Sequence, residues 1–271
     1  MKKAPFVFIR ATLYLASFLP FGVLYVIADG LYFFFYHIIS YRKKVVFENL
    51  RNSFPDKTQH EIEVIARGFY HFLSDQLVES IKLLTISKKS VKKRFRLNNL
   101  EEVTRHFENN RAVIAVTGHY ANWEWGGLIL SVMVEKPVII VYKPITDKLF
   151  ERLVNKMRSR FKAILVPMKH TLRTVTEYKN KQYVLELVSD QTPARNEITY
   201  YTSFLNQPTA VFEGAEKLAK TTKNAVVYCH INRVKRGYYE CRFSTLFETP
   251  ENTAEKEITN AYIRKLEEII K

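Results

Sequence analysis

Residues 117–127, TGHYANWEWGG, contain the pair of side chains in this sequence best suited to acid–base chemistry. His119 and Glu124 lie five positions apart. In one continuous helix the two side chains would point about 140° apart, and in one strand they would lie on opposite faces. The two groups can therefore act together only if the chain changes direction between them.

The residues on either side of His119 predict such a change of direction. The apolar run 112–116, AVIAV, predicts a strand that ends just before His119. Asn122 is a good N-cap and predicts a helix start, which places Glu124 in the first helical turn, where the helix dipole favours a carboxylate. A histidine at the carboxyl edge of a strand, oriented by an acid, is suited to act as a general base. The alternative is a loop histidine and a dipole-compensating Glu124 without a joint role.

Other catalytic classes lack their motifs. The sequence contains no G-x-S-x-G elbow, no P-loop and no dinucleotide-binding glycine pattern. His60-Glu61 is followed by Val64 where a zinc-binding helix would need its second histidine, so we expect no metal. No cofactor is implied. What remains is a base without a protein nucleophile, which would have to activate a hydroxyl supplied by the substrate.

The composition favours an acidic partner. The formal charge is +15, from 42 Lys and Arg against 27 Asp and Glu, with basic clusters at 42–44 and 88–96. Phospholipid head groups, nucleic acid, a phosphorylated substrate or an acidic carrier protein would all fit this charge. No RNA-binding module, zinc finger or basic zipper is present, so we expect no nucleic-acid partner. Cys229 and Cys241 form no C-x-x-C pair, which favours a reducing compartment.

The N-terminal 40 residues are unusually apolar. Residues 11–28 carry no charge, and after Asp29 another 11 uncharged residues precede Arg42. An 18-residue helix is about 27 Å long, close to the roughly 30 Å hydrocarbon thickness of a bilayer, although Pro20 would kink it. The pattern predicts a membrane anchor over 1–40, spanning or deeply embedded, with the cluster at 42–44 on the cytoplasmic side. The alternative is a buried hydrophobic hairpin of a soluble protein.

The remaining sequence predicts an α/β domain over 41–271. Apolar residues at three- and four-residue steps predict a long amphipathic helix over 62–84 and a closing helix over 258–269. Runs typical of strands alternate with helical patterns, which indicates a mainly parallel, mixed sheet flanked by helices. The predicted strands are 112–116, 138–142, 183–188, 225–231 and 238–243, and the predicted helices between them are 123–134, 147–161, 171–180 and 211–222. The last two strands, joined by 234–237, predict an antiparallel hairpin at one edge.

Several motifs follow one another in an order that resembles the bacterial lipid A acyltransferase family over nearly the whole chain. The most specific is the block 118–124, GHYANWE. The others are Asn49-Leu50, Ser53-Phe54-Pro55, Tyr142-Lys143-Pro144, Arg158-Ser159-Arg160, Asp190-Gln191, Phe204 to Pro208, Gly214 and Leu218-Ala219. Lys143 stands where the family usually has Arg, and Asn206 where it usually has Gly. The sequence also ends before the family's Trp-rich tail.

The resemblance implies a glycerolipid-acyltransferase-like fold and an enzyme that moves a fatty acyl chain from acyl carrier protein to a hydroxyl of a lipid A precursor. It implies catalytic roles for His119 as base, Glu124 as its orienting acid and Arg158 as stabiliser of the oxyanion. The implied substrate-binding residues are Asp190, Asn122, Lys143 and Arg160. The implied partners are acyl carrier protein, a phosphorylated lipid A precursor and the anionic membrane surface. The implied location is the cytoplasmic face of the bacterial inner membrane.

Two other functions remain open at the level of the sequence. An acyltransferase acting on another lipid acceptor, such as an aminolipid or a glycerophospholipid, would use the same His119 and Glu124. A non-catalytic basic module that binds anionic lipid would need no particular geometry between these two side chains.

Overall fold

The computed structural model describes residues 3–271, which form two compact units. The first unit comprises the chain up to Ile86 together with Ser203–Pro208, and the second comprises Ser87–Thr202 and Thr209–Lys271. Met1 and Lys2, which belong to the predicted anchor, lie outside the described residues. The division into an anchor at 1–40 and a catalytic domain at 41–271 stays a prediction.

The first unit is helical. Its helices are α1 (Lys3–Phe18), α2 (Phe21–Phe33), α3 (Lys43–Ser53) and α4 (Gln59–Lys82), and α2 continues as a π-helical turn over Phe34–Ile38. The single kinked helix predicted over 11–28 is wrong, because α1 ends at Phe18 and α2 begins at Phe21. Pro20 explains the break, since proline lacks an N–H and its ring clashes with the preceding helical turn. The predicted helix over 62–84 is confirmed as α4.

The N-terminal helices expose much of their apolar surface. Phe21–Ile38 is long and apolar enough to cross a bilayer, and only 17% of it is buried. Its buried side, at Leu24 and Ala28, packs against Val78 of α4. The exposed large apolar side chains of α1, α2 and the π-helical turn include Val7, Phe8, Leu15, Phe18, Val23, Val26, Phe33 and Ile38. So large an exposed apolar surface is typical of a region that meets a membrane or another apolar partner.

Lys82 of α4 caps the end of α1. Its ammonium group donates hydrogen bonds to the carbonyl oxygens of Ser17 at 2.8 Å and Leu19 at 2.7 Å. These carbonyls lie at the break that Pro20 causes, where the regular helical hydrogen bonding of α1 ends. The cationic side chain therefore stabilises the junction between α1 and α2.

We expect Lys82→Met to destabilise the first unit. The substitution removes a charged donor from both carbonyls, and although the Ser17 carbonyl still accepts from Thr85 Oγ1 at 2.6 Å, the loss at Leu19 costs about 1.5–3 kcal/mol. Thermal unfolding in detergent should show a Tm several degrees lower, whereas Lys44→Met, at an exposed position of α3, should leave it unchanged. Equal Tm values for the two variants would contradict the capping role.

The tip of a short hairpin belongs to the same unit. The hairpin strands are β6 (Tyr201–Phe204) and β7 (Gln207–Ala210). Asn206 in the turn has a φ of 63°, in the left-handed region that glycine and asparagine tolerate best. Its side chain donates to the Ser53 carbonyl at 3.2 Å. Asparagine at this position therefore tolerates the left-handed backbone conformation and adds a hydrogen bond.

The second unit is built on a seven-stranded sheet. Its strands are β1 (Phe95–Asn98), β2 (Val113–Thr117), β3 (Val138–Tyr142), β4 (Ile164–Pro167), β5 (Val184–Val188), β8 (Ala225–Lys235) and β9 (Tyr238–Phe247). The strand order is β1-β9-β8-β2-β5-β3-β4, and every pairing is parallel except β8 with β9. The predicted fold class, a mainly parallel mixed sheet, is confirmed. The predicted edge position of the hairpin is wrong, because β1 pairs with β9 on its outer side.

Helices connect and flank these strands. They are α5 (Lys88–Arg94), α6 (Glu101–Glu108), α7 (Trp123–Met133), α8 (Lys148–Arg158), α9 (Thr171–Glu177), α10 (Gly214–Thr222) and α11 (Glu257–Ile270). The helices α7 to α11 confirm the predictions made for these segments, as do the five predicted strands. The elements β1, β4, α5 and α6 were not predicted.

Candidate active site

The parallel pairing of β2 with β5 brings His119 next to Asp190. Thr117 and Val188 are paired at the ends of these strands, and the Ser189 N–H donates to the Thr117 carbonyl at 3.0 Å. The segments that follow β2 and β5 therefore leave the carboxyl edge of the sheet side by side. His119 lies two residues after Thr117, and Asp190 lies two residues after Val188. Ligand sites of open α/β sheets lie at this edge.

Asp190 holds His119 through two hydrogen bonds. Asp190 Oδ2 accepts from the backbone N–H of His119 at 2.8 Å, and Asp190 Oδ1 lies 2.5 Å from the ring Nδ1. A ring that donates from Nδ1 to the carboxylate leaves Nε2 as the nitrogen able to take a proton. The His119 side chain is 28% exposed and lines a cavity at this edge of the sheet.

Only a glycine fits at position 118, between the end of β2 and His119. A Cβ at this position would lie 2.8 Å from Leu266 Cδ2 and 3.3 Å from Asp190 Oδ2. Any larger residue would therefore push against α11 and crowd the carboxylate that holds His119. Two residues past His119, Ala121 has a φ of 48°, a left-handed conformation uncommon for a residue with a side chain. This residue turns the chain towards the start of α7.

Glu124 and Arg158 form the second pair of the site. Glu124 lies in the first turn of α7 and Arg158 is the last residue of α8, so each charge complements its own helix dipole. The bond is bidentate: Arg158 Nε donates to Glu124 Oε2 at 2.9 Å, and Arg158 Nη2 donates to Glu124 Oε1. Burial lowers the pKa of Arg158, but the bonds to Glu124 outweigh it and raise the pKa above its usual value.

The structure pairs the four residues differently from the prediction. Glu124 was expected to orient His119, and Asp190 was expected to bind substrate. Instead Asp190 is the carboxylate on His119, and both oxygens of Glu124 are bonded to Arg158. The sheet register explains the first pairing, and the facing ends of α7 and α8 explain the second. The expected arrangement of a histidine held by an acid is present, but with Asp190 as the acid.

Trp123 connects the two pairs and was not predicted as a functional residue. Its ring meets the His119 ring edge-on, with centroids 4.6 Å apart, and the Arg158 guanidinium carbon lies 5.6 Å from its centroid. The indole therefore restricts both side chains from one position at the first residue of α7. The motif GHYANWE contained the signal, since it places a large aromatic residue directly before Glu124.

The remaining predicted substrate-binding residues lie in different environments. Asn122 is 1% exposed, and its side chain accepts from the Trp125 N–H at 3.1 Å, so it serves as the N-cap of α7. Lys143 is exposed and lines a cavity beside His119. Arg160 is half-buried, with its guanidinium carbon 5.3 Å from the Phe161 ring, and it is not among the residues lining that cavity. Of these three residues, the structure brings only Lys143 to the site.

The cavity beside His119 has a volume of about 740 Å³. Its wall is mainly apolar and includes several polar side chains. The apolar lining includes Leu128, Ile140, Phe150, Val154, Leu172 and Leu218, and the polar lining includes His119, Glu124, Arg158, Glu186 and Gln191. A deep apolar cavity with a few convergent polar groups is the usual form of a site for a largely apolar ligand.

Glu186 is a polar residue of this cavity that the sequence analysis did not identify. It is 5% exposed within β5, and its Oε2 has no hydrogen-bond partner among residues 3–271. Burial, together with the negative charge of Glu124, raises its pKa to about 8, although Arg158 opposes the shift. In the sequence, the only indication of this residue was a single carboxylate in the apolar run YVLELV.

Among residues 3–271, no cluster of three or more His, Cys, Asp and Glu side chains could hold a metal ion.

This fold and site define an α/β protein with an acid-held histidine at the mouth of an apolar cavity, next to a carboxylate–guanidinium pair. The chain belongs to the bacterial lipid A biosynthesis acyltransferase family, whose model matches residues 3–271.

Two curated relatives are similar over a large part of the chain. They are the lipid A biosynthesis palmitoleoyltransferase of Escherichia coli (strain K12) and the lipid A biosynthesis acyltransferase of Shigella flexneri. Each is 24% identical over 210 residues, which cover 78% of this chain and 66% of the relative. The matched region is thus slightly less than two thirds of the relatives' length.

Proposed function

We propose that this protein transfers a fatty acyl chain from acyl carrier protein to a hydroxyl of a lipid A precursor. The observation that carries the proposal is His119, held by Asp190 at the mouth of a mainly apolar cavity of about 740 Å³. A general base without a protein nucleophile suits a hydroxyl acceptor, and an apolar cavity suits an alkyl chain. Family membership and the names of the two relatives support the same reaction.

The proposed reaction proceeds by direct attack. Nε2 of His119 takes the proton of the acceptor hydroxyl, and the oxygen forms a bond to the thioester carbon. The carbon–sulfur bond then breaks, and the leaving thiolate takes the proton back from the imidazolium. Asp190 orients the ring and stabilises its charged form. No acyl-enzyme is needed, because the acceptor hydroxyl is itself the nucleophile.

Arg158 is the proposed stabiliser of the oxyanion. Two of its nitrogens bind Glu124, so the remaining amino group is the part of the guanidinium that can donate to a substrate oxygen. A donor held rigidly in this way stabilises developing charge without reorganisation, which is the usual source of a large catalytic effect. Glu124 is therefore assigned to positioning Arg158. Lys143 is proposed to bind an anionic group of a substrate at the cavity wall.

The surface properties support the proposed partners and location. The charge of +15 suits an acidic carrier protein, a phosphorylated acceptor and an anionic lipid surface. The exposed apolar helices near the N-terminus support an anchor in the bacterial inner membrane, with the catalytic domain on the cytoplasmic face.

A transfer assay tests the proposal. Membranes containing the full chain would be given radiolabelled lipid A precursor and acyl carrier proteins loaded with chains of several lengths. We expect one acylated product, with a preference among the donors set by the cavity. Product formation only with an aminolipid or glycerophospholipid would replace the acceptor, and no product with any acceptor would contradict acyl transfer.

Asp190→Asn should lower kcat by roughly 10³-fold while the protein stays folded. The amide retains the size of the side chain but cannot accept from both the backbone N–H and the ring of His119. The ring then loses the preference that leaves Nε2 unprotonated. Steady-state transfer kinetics would measure the loss, with kcat affected more than KM.

Asp147→Asn provides the matched control for this prediction. Asp147 caps α8 by accepting from the Leu149 and Phe150 N–H groups, both at 3.0 Å, and asparagine caps helices equally well. This variant should keep wild-type kinetics. If Asp190→Asn behaved in the same way, Asp190 would have no role in orienting the base.

A further inference from the structure

The proposed proton transfer and bond-forming steps do not involve Glu186, which is a carboxyl group buried at the centre of the sheet. It pairs with Ala115 of β2 on one side and Ile140 of β3 on the other, so strands enclose it on both sides. Its exposure is 5%, and its Oε2 has no partner within the described chain. A buried, unpartnered carboxyl oxygen is costly and uncommon, so its presence calls for a reason.

Gly127 provides the space for this carboxyl group. A Cβ on Gly127 would lie 2.8 Å from Glu186 Oε2 and 2.9 Å from Ile140 Cδ1. Gly127 is three residues after Glu124 on α7, so the two positions share one face of the helix. The carboxyl group of Glu186 therefore faces the side of α7 that carries Glu124, and it lines the same cavity as Glu124 and Arg158.

The protonation state of Glu186 decides what it does to this pair. With a pKa raised to about 8 by burial and by Glu124, the group is mainly uncharged at pH 7. Uncharged, it leaves the guanidinium of Arg158 with one anionic partner. Ionised, it would be a second carboxylate in the same weakly hydrated region and would compete with Glu124 for Arg158.

We propose that Glu186 is a positioning residue whose uncharged carboxyl group keeps Arg158 paired with Glu124 and directed at the reacting thioester. The inference rests on the proposed function, since it assigns Glu186 to the same transfer reaction. It further implies that transfer slows when Glu186 ionises, because Arg158 is then shared between two carboxylates.

Other titratable groups near Glu186 must be separated from it in any pH experiment. They are Glu124 on α7, Arg158 on α8, Tyr142 at the end of β3, Cys229 on β8, and His119, Lys143 and Lys217 around the cavity. Ionisation of Glu186 affects the alkaline side of a pH profile. The hydrogen bond with Cys241 and burial raise the pKa of Cys229 well above its usual value, which moves its ionisation away from pH 8.

Glu186→Gln tests the inference through the alkaline side of the kcat profile. Glutamine has the size of the uncharged acid but cannot ionise. Wild type should lose about tenfold in kcat between pH 7 and pH 9.5, with a midpoint near 8, whereas in Glu186→Gln the ratio of kcat at pH 9.5 to kcat at pH 7 should stay near one. Glu177→Gln, at an exposed position of α9, should retain the wild-type profile. An alkaline loss that is unchanged in Glu186→Gln would overturn the proposal.

Two further measurements do not depend on activity. A raised pKa means that the folded state keeps a proton that the unfolded state loses above its usual value of 4.5. The stabilising contribution is complete below pH 4.5 and is lost as the pH rises through about 8. The Tm difference between Glu186→Gln and wild type should therefore grow between pH 5 and pH 8, and a constant difference would mean that Glu186 is ionised throughout.

Structures of wild type and Glu186→Gln at pH 6 and pH 9.5 separate this inference from the proposed function. Arg158 should move away from Glu124 only in wild type and only at the higher pH. This movement without detectable transfer would keep the positioning role and reject the proposed reaction. Transfer with an Arg158 that stays on Glu124 at both pH values would keep the reaction and reject the positioning role.

Discussion

His119→Ala is expected to lower the transfer rate by roughly 10³- to 10⁴-fold. Without the imidazole, the acceptor hydroxyl has no group at hand to take its proton. Asp190 cannot replace it, because its carboxylate lies behind the ring, bonded to Nδ1 and to the backbone N–H of residue 119. The loss should appear in kcat, measured with saturating donor and acceptor.

The loss is specific only if the variant remains folded. His119 is 28% exposed, so its removal leaves no large cavity and the Tm should change little. His60→Ala, at an exposed position in the first turn of α4, provides a control histidine and should retain full activity. In the double variant with Asp190→Asn, the second substitution should cost little, because Asp190 acts through the ring. Near wild-type transfer by His119→Ala would reject the general-base mechanism.

The fold could be predicted from the sequence wherever periodicity was strong. The apolar runs of β2, β3 and β5 and the alternation of strands with helices were sufficient for a parallel sheet. The strand β1, Phe95–Asn98, was missed because Arg96 and Asn98 interrupt its apolar pattern, and only pairing with β9 defines it. The break at Pro20 was underestimated for a related reason, since a proline kink and a helix end look alike in sequence.

The site could be predicted only in part, because its pairings depend on long-range geometry. His119 and Glu124 were identified through a local motif, which made a partnership between them the natural hypothesis. Asp190 lies 71 residues from His119, and the register of β2 with β5 alone brings it into contact. Arg158 is 34 residues from Glu124 and meets it because α7 and α8 pack together on the sheet. A local motif can predict which residues gather at a site, but not which acid binds which base.

Arg158→Lys is expected to lower kcat by about 10²- to 10³-fold, although the positive charge is retained. A guanidinium can bond both oxygens of Glu124 and still present a third nitrogen to the substrate, whereas an ammonium group has no planar fork. The lysine side chain would either pair with Glu124 or approach the oxyanion. The loss should fall mainly on kcat, because the developing charge exists only in the transition state.

Comparison with three other variants separates this catalytic role from a structural one. Arg158→Gln should also destabilise the fold, by about 3 kcal/mol, because it leaves Glu124 in a partly buried position without a cation. Arg158→Lys should largely keep the Tm, and Arg152→Lys, at an exposed position of α8, should keep both Tm and kcat.

If Glu124 acts by positioning Arg158, Glu124→Gln should lower kcat much less in the Arg158→Lys background than in wild type. Independent, multiplicative losses would instead mean that Glu124 and Arg158 contribute separately, and the assignment of Glu124 as the support of Arg158 would be wrong.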